Sequence, residues 1–233
     1  MEIAKGQEMV SLLIRHSYSH HHLAAAVRFA DLAATIEGTR APLSGTTSVL
    51  SSDVDDHRHF VIASIMCTGA CVDTAINEVY ADADDHRRRF WRRLSTAALD
   101  RLKAMRAHLG SQVLRKYELA LILADRPPWD PKDPLYRDVK TFTELRNQLV
   151  HYTPEWGSGG AESHTGTSAQ RFRALLRGRF PLNPFTASGN AFFPDQCFSV
   201  GCLRWCFQAT LAFMDEFFRR MRMRVPYARA RPN

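Results

Sequence analysis

Nowhere in this chain do apolar and polar residues alternate over a sustained run, so no segment reads as a half-buried β-strand. It has no internal repeat, which excludes a solenoid, and no Cys-x-x-Cys pair, which removes the usual half-site of a structural zinc centre. No apolar run approaches the ~20 residues that a membrane-spanning helix needs. Glu2, Lys5, Gln7 and Glu8 precede any apolar stretch, so the start does not read as a signal peptide, and a cytoplasmic protein without membrane contact is expected. Lysine is scarce as well: it occurs only at positions 5, 103, 116, 132 and 140, which leaves 26 of the 31 basic side chains as arginine.

What is present suits one soluble all-α domain of 233 residues, with 45% hydrophobic and 24% charged residues. The formal charge of +7 points toward an anionic partner. The arginine bias has two readings, genome composition or bidentate phosphate binding. Cys67 and Cys71, like Cys202 and Cys206, lie four apart on neighbouring helical turns; with Cys197 the number is odd. Buried, reduced thiols are the expectation.

Start and stop signals partition the chain. A first helix is expected over residues 2–37, ending at Gly38, followed by a turn-rich loop over 38–52. Asp53 can cap a second helix reaching about Tyr80, Ser95 a third that stops at Gly110, and Ser111 opens a fourth that ends near Ala124. Asp133 in an N-cap position with Pro134 at the first helical site is a strong start, and the helix should run to Tyr152 or Thr153, just before Pro154. A short helix over 169–177 follows, then an irregular stretch from Pro181 to Pro194 and a long last helix over 197–223.

The helix opened by Asp133 carries the chemistry. At about 100° per residue, Phe142, Leu145, Leu149 and Tyr152 share an inward stripe, while Glu144, Asn147 and His151 share roughly the opposite face. Arg146 falls between them, about 140° from His151 on an ideal helix. One copy does not aim both groups at one atom; two copies about a two-fold axis can, and such isologous pairing is the commonest homodimer. Histidine is the side chain suited to proton transfer near neutrality, and arginine steadies phosphate charge that develops in a transition state. Asn147 can orient the imidazole or contact phosphate. The structural alternative is a surface ion pair of Arg146 with Glu144 or Glu155 and a histidine that merely caps a helix end.

Arg146-Asn147 followed by His151 resembles the Arg-polar-x-x-x-His signature of the HEPN superfamily, and two more stretches extend the likeness. The helix Ala63 to Tyr80 is rich in small residues and closes on Asp73, Asn77, Glu78 and Tyr80; the site helix closes on Tyr152, Pro154 and Trp156. The resemblance covers about residues 55–156, with the last helix completing the bundle and the N-terminal helix packing on it or extending it. It implies a HEPN-type bundle of four to five core helices with additional N-terminal and peripheral helices. It implies a homodimer acting on RNA without metal or cofactor, often beside an antitoxin or phage-defence partner. Members also include silent modules that bind RNA, a nucleotide or a protein. Toxins of the superfamily that a nucleotidyltransferase modifies carry Tyr two residues after the His; Thr153 stands there in this chain, against that type of antitoxin.

Asp73 and Asn77, four apart on an otherwise apolar helix, either hold Arg146 or His151 or form a satisfied polar pair between helices. Arg87, Arg88, Arg89, Arg92 and Arg93 around Phe90 and Trp91 either hold an RNA backbone with base stacking or form a solvated charge run. The arginines from 219 to 231 extend the theme or form a basic tail. His20-His21-His22 points in three directions on a helix and is not expected to bind metal. Trp205, Leu211, Phe213, Phe217 and Phe218 belong to the core.

Overall fold

A computed structural model describes residues 16–40, 52–83, 94–152, 167–187 and 189–232, with no strand among them. Among the described residues seven α-helices follow one another: α1 (Ser19–Thr39), α2 (Ser52–Asp82), α3 (Thr96–Met105), α4 (Val113–Leu123), α5 (Pro134–Val150), α6 (Thr167–Leu176) and α7 (Val200–Met221). The all-α architecture is the one expected.

α2 is the axis of the fold. It buries a residue on nearly every turn, among them Val61, Ile65, Val72, Ile76 and Tyr80, and α1, α4, α5 and α7 pack around it. By length and composition it is apolar enough to cross a membrane, which corrects the expectation that no such stretch exists. Here it lies in the core. α1 runs antiparallel to it, as three contacts along its length attest. Ser64 Oγ donates to the Ala26 carbonyl at 2.8 Å, His57 Nε2 meets Glu37 Oε1 at 2.9 Å, and Glu78 receives the far end.

That last contact corrects the N-terminal boundary. Residues 16–18 are not helical and α1 begins at Ser19; residues 1–15 lie outside the described residues. Glu78 Oε1 accepts the Tyr18 and Ser19 backbone N–H groups at 2.7 and 3.0 Å, and its Oε2 accepts the Ser19 hydroxyl at 2.7 Å. A carboxylate satisfying the orphan donors of a first turn fixes where the helix starts. The signal sits on a different helix, 59 residues away, out of reach of local capping rules.

Other boundaries follow local chemistry. Ser95 Oγ accepts from Ala98 N at 3.2 Å, and Asp133 Oδ1 accepts from Leu135 N at 2.9 Å ahead of Pro134. α4 starts at Val113 after a Gln112 cap that makes no side-chain bond, not at Ser111. The last helix starts at Val200, where Ser199 Oγ accepts from Cys202 N at 3.0 Å, and ends at Met221 on a left-handed Arg222. Ser199 also donates to the Pro181 carbonyl, and Gly201 lets that loop approach: a Cβ there would stand 2.7 Å from Pro181 Cδ.

α7 supplies the aromatic half of the core. Tyr117 meets Phe213 and Phe217 edge-on at 5.0 and 4.7 Å, and Trp129 stacks on Phe213 at 4.7 Å. Trp205, Phe217 and Phe218 are buried and Leu211 is partly so. The Arg220 guanidinium lies 3.9 Å from the centre of Trp129, which fastens the loop before α5 to the end of α7. All five thiols are free, four of them buried, as expected; burial, reinforced by Glu78, pushes the Cys71 thiol up to about 12.

Two predictions arise here. Glu78→Ala should destabilise the fold by about 1–2 kcal/mol, a fall in Tm of roughly 2–8 °C, whereas Glu78→Gln keeps an acceptor and should lose less. Arg219, joined by Arg220, holds the Glu216 carboxyl down from 4.5 to about 2. A depressed carboxyl stabilises above its unfolded value and loses that contribution as pH falls through the folded one. Glu216→Gln should therefore melt lower than the parent at pH 6, with the gap closing between about pH 4.5 and pH 2 in thermal scans.

Candidate functional site

α5 delivers its side chains in two directions. Val139, Phe142 and Leu145 are buried against the bundle, Leu149 is half-buried, and the helix ends at Val150. His151 is the C-cap; its N–H donates to the Asn147 carbonyl at 2.9 Å, and its backbone leaves the helix at φ −111°, ψ 32°. The helix is thus shorter than the sequence suggests, and Tyr152 is no longer on the inward stripe. It is 49% exposed, with its ring 6.3 Å from Phe193. Once the chain leaves helical geometry, the 3.6-residue period stops assigning faces.

Arg146 turns toward α2. Its Nη2 lies 3.3 Å from Asp73 Oδ2, and its stem crosses Gly69: a Cβ on that glycine would stand 3.2 Å from both Arg146 Cγ and Nε. The same carboxylate takes a second cation. Lys116 Nζ on α4 donates to Asp73 Oδ1 at 3.2 Å and to Asn77 Oδ1 at 3.1 Å. Parts of both readings of Asp73 and Asn77 hold, with Lys116 as an added partner. Asp73 holds Arg146, as one alternative had it, and both acceptors hold Lys116.

Lys116 is the residue the sequence reading missed. It is buried, and α4 at that point is tied to α2 twice. Tyr80 Oη donates to the Lys116 carbonyl at 2.9 Å, and Tyr117 Oη donates to the Val72 carbonyl at 2.8 Å. A signal existed: Lys116 shares the stripe of Val113, Tyr117, Ala120 and Leu121, so a scarce lysine sits at a core position and needs polar partners on a neighbouring helix.

The remaining site residues are spread around this cluster. Glu144 is half-buried, while Asn147 and His151 are exposed. Arg146 forms its ion pair with Asp73 and none with Glu144; Glu155 lies outside the described residues, as do Arg87, Arg88, Arg89, Arg92 and Arg93. Among the described residues the His151 imidazole has no hydrogen-bond partner, and no group of three metal-binding side chains is close enough to hold an ion. One chain therefore offers a pair of cations around one carboxylate, and an exposed imidazole at the end of the helix that carries the arginine. No family model, curated protein or solved structure matches this chain.

The geometry predicts an energetic coupling. A double-mutant cycle on Asp73→Ala and Arg146→Ala should give an interaction of about 1 kcal/mol in denaturant unfolding. In a Gly69→Leu background, where the side chain takes the space of the arginine stem, the coupling should vanish.

Proposed function

We propose that this chain is a metal-independent endoribonuclease of the HEPN type, working as a homodimer in a toxin–antitoxin or phage-defence setting. One observation carries the reading: Arg146 and Lys116 share a single carboxylate, so the cluster keeps one uncompensated positive charge on the helix that ends in an exposed imidazole. A positioned guanidinium and a reachable proton-transfer group, brought together across a two-fold, are what phosphoryl transfer to an internal hydroxyl requires.

In this mechanism His151 accepts the proton of a ribose 2′-hydroxyl. The 2′-oxygen attacks phosphorus, the bond to the 5′-oxygen breaks, and the leaving oxygen takes a proton. The products end in a 2′,3′-cyclic phosphate and a 5′-hydroxyl. Arg146 meets the charge that grows on the phosphate oxygens. Asn147, one turn before His151, and Glu144 flank the site, and Arg87 to Arg93 would hold the strand on either side.

The two-fold arrangement answers the geometry of one chain, in which Arg146 is drawn to α2 while His151 sits beyond the helix end. Val150 and Tyr152, 47% and 49% exposed beside His151, give that end an apolar rim that a second copy would cover. A silent HEPN-like module that binds RNA or a partner protein is the second reading, favoured by the same Asp73 contact, which offsets part of the arginine's charge.

The test is incubation of the purified protein with mixed cellular RNA in excess EDTA, beside His151→Ala and Arg146→Ala variants of equal fold. Cleavage by the parent, ending in cyclic phosphate and reduced about 100-fold or more in each variant, is the expected result. Intact RNA with a folded parent dimer would assign the silent module instead.

A further inference from the structure

Four observations at the junction of α2, α4 and α5 converge. Lys116 uses two of its three N–H donors, on Asp73 and Asn77, and Arg146 reaches Asp73 through one terminal nitrogen, Nη2. The two contacts to the carboxylate, at 3.2 and 3.3 Å, are long for charge-assisted bonds, and neither is a bidentate fork. Asp73 is the most exposed of the three charged side chains, at 30% against 24% for Arg146 and 11% for Lys116. Gly69 keeps the guanidinium stem pressed to α2, so the cation pair stays in place if the carboxylate turns away.

A lysine and an arginine bridged by one oxyanion form a receptor for oxyanions, and here the receptor is filled by the chain itself. We propose that Lys116 and Arg146 form a two-cation subsite for one phosphate of an RNA backbone. Asp73 occupies it between encounters and swings to solvent when the phosphate arrives. Asn77 retains Lys116 throughout, which prevents two neighbouring cations from splaying apart while the site is exchanged. A phosphate offers more oxygens and more charge than a carboxylate, so it can engage the free donors of both cations at once. The inference rests on the RNA reading above but not on cleavage.

The experiment measures binding of a 2′-O-methyl oligoribonucleotide, which cannot be cleaved, by fluorescence anisotropy over a range of salt. Asp73→Asn, shown to be folded by its melting transition, should bind tighter than the parent, on the order of tenfold at low salt, with a steeper log K against log salt. Lys116→Met introduced into Asp73→Asn should cancel the gain. Asp56→Asn removes the same charge from an exposed position at the far end of α2, so a gain for Asp73→Asn that Asp56→Asn does not match is the deciding result, and equal gains overturn the subsite. Equal or weaker binding by a folded Asp73→Asn variant overturns the subsite, as does a gain of the same size for adenosine monophosphate, which would mean a site for free nucleotides. Lys116→Met alone, which keeps the Asp73–Arg146 pair, should flatten the salt slope by about 0.7; an unchanged slope also overturns the proposal. Absence of RNA cleavage in EDTA would remove the nuclease reading and leave these outcomes intact.

Discussion

The Asp73 carboxylate is where three helices of this protein meet. Partly exposed on α2, it accepts from Lys116 on α4 and from Arg146 on α5. Without it, Lys116 would be a buried ammonium beside one amide oxygen, a state that ordinarily costs several kcal/mol. The inward lysine in turn fixes the register of α4, because its carbonyl must meet the Tyr80 hydroxyl and its neighbour Tyr117 must reach the Val72 carbonyl. Gly69 completes the junction by leaving the space that the arginine stem fills. A polar cluster of this kind specifies one arrangement of helices, where apolar contacts alone would tolerate several.

Around that junction the core is conventional and heavily aromatic. α7 lays Phe213, Phe217 and Phe218 against Tyr117, Trp129 and Tyr227, so that α4 and the loop before α5 are held from both sides. The result is an Arg146 held against α2 and a His151 exposed at the helix end. The arginine is positioned by packing, an ion pair and a missing Cβ. The histidine depends only on where the chain leaves the helix, and its surroundings include exposed Val150 and Tyr152. Under the proposed function, chemistry requiring both groups would take the missing precision from another molecule, a second copy or an RNA strand.

Local signals read well because their causes are local. Asp133 followed by Pro134, and Ser95 three residues before Ala98, satisfy helix donors within one turn, and both helices begin there. The aromatic stripe of the last helix is core because its spacing permits one buried face. Other residues were legible in kind but not in role. Asp73 and Asn77 stand out as polar groups on an apolar helix, yet their partner lies 43 and 39 residues away on α4. Glu78 reads as part of a motif and proves to cap a helix that precedes it by 59 residues. Tyr152 reads as inward on a helical wheel that stops applying two residues earlier.

The sequence by itself determined the all-α class, the starts of α3 and α5, the aromatic core of α7 and the placing of Arg146 and His151 five residues apart. Those properties depend on periodicity and on groups within a turn of each other, which a linear reading can follow. Only the tertiary structure decided that Arg146 faces α2, that Lys116 shares its carboxylate and that Glu78 sets the first residue of α1. Each of these joins residues far apart in sequence. Such pairs form because burial forces polar groups to find partners, and which partner is available depends on how the helices pack.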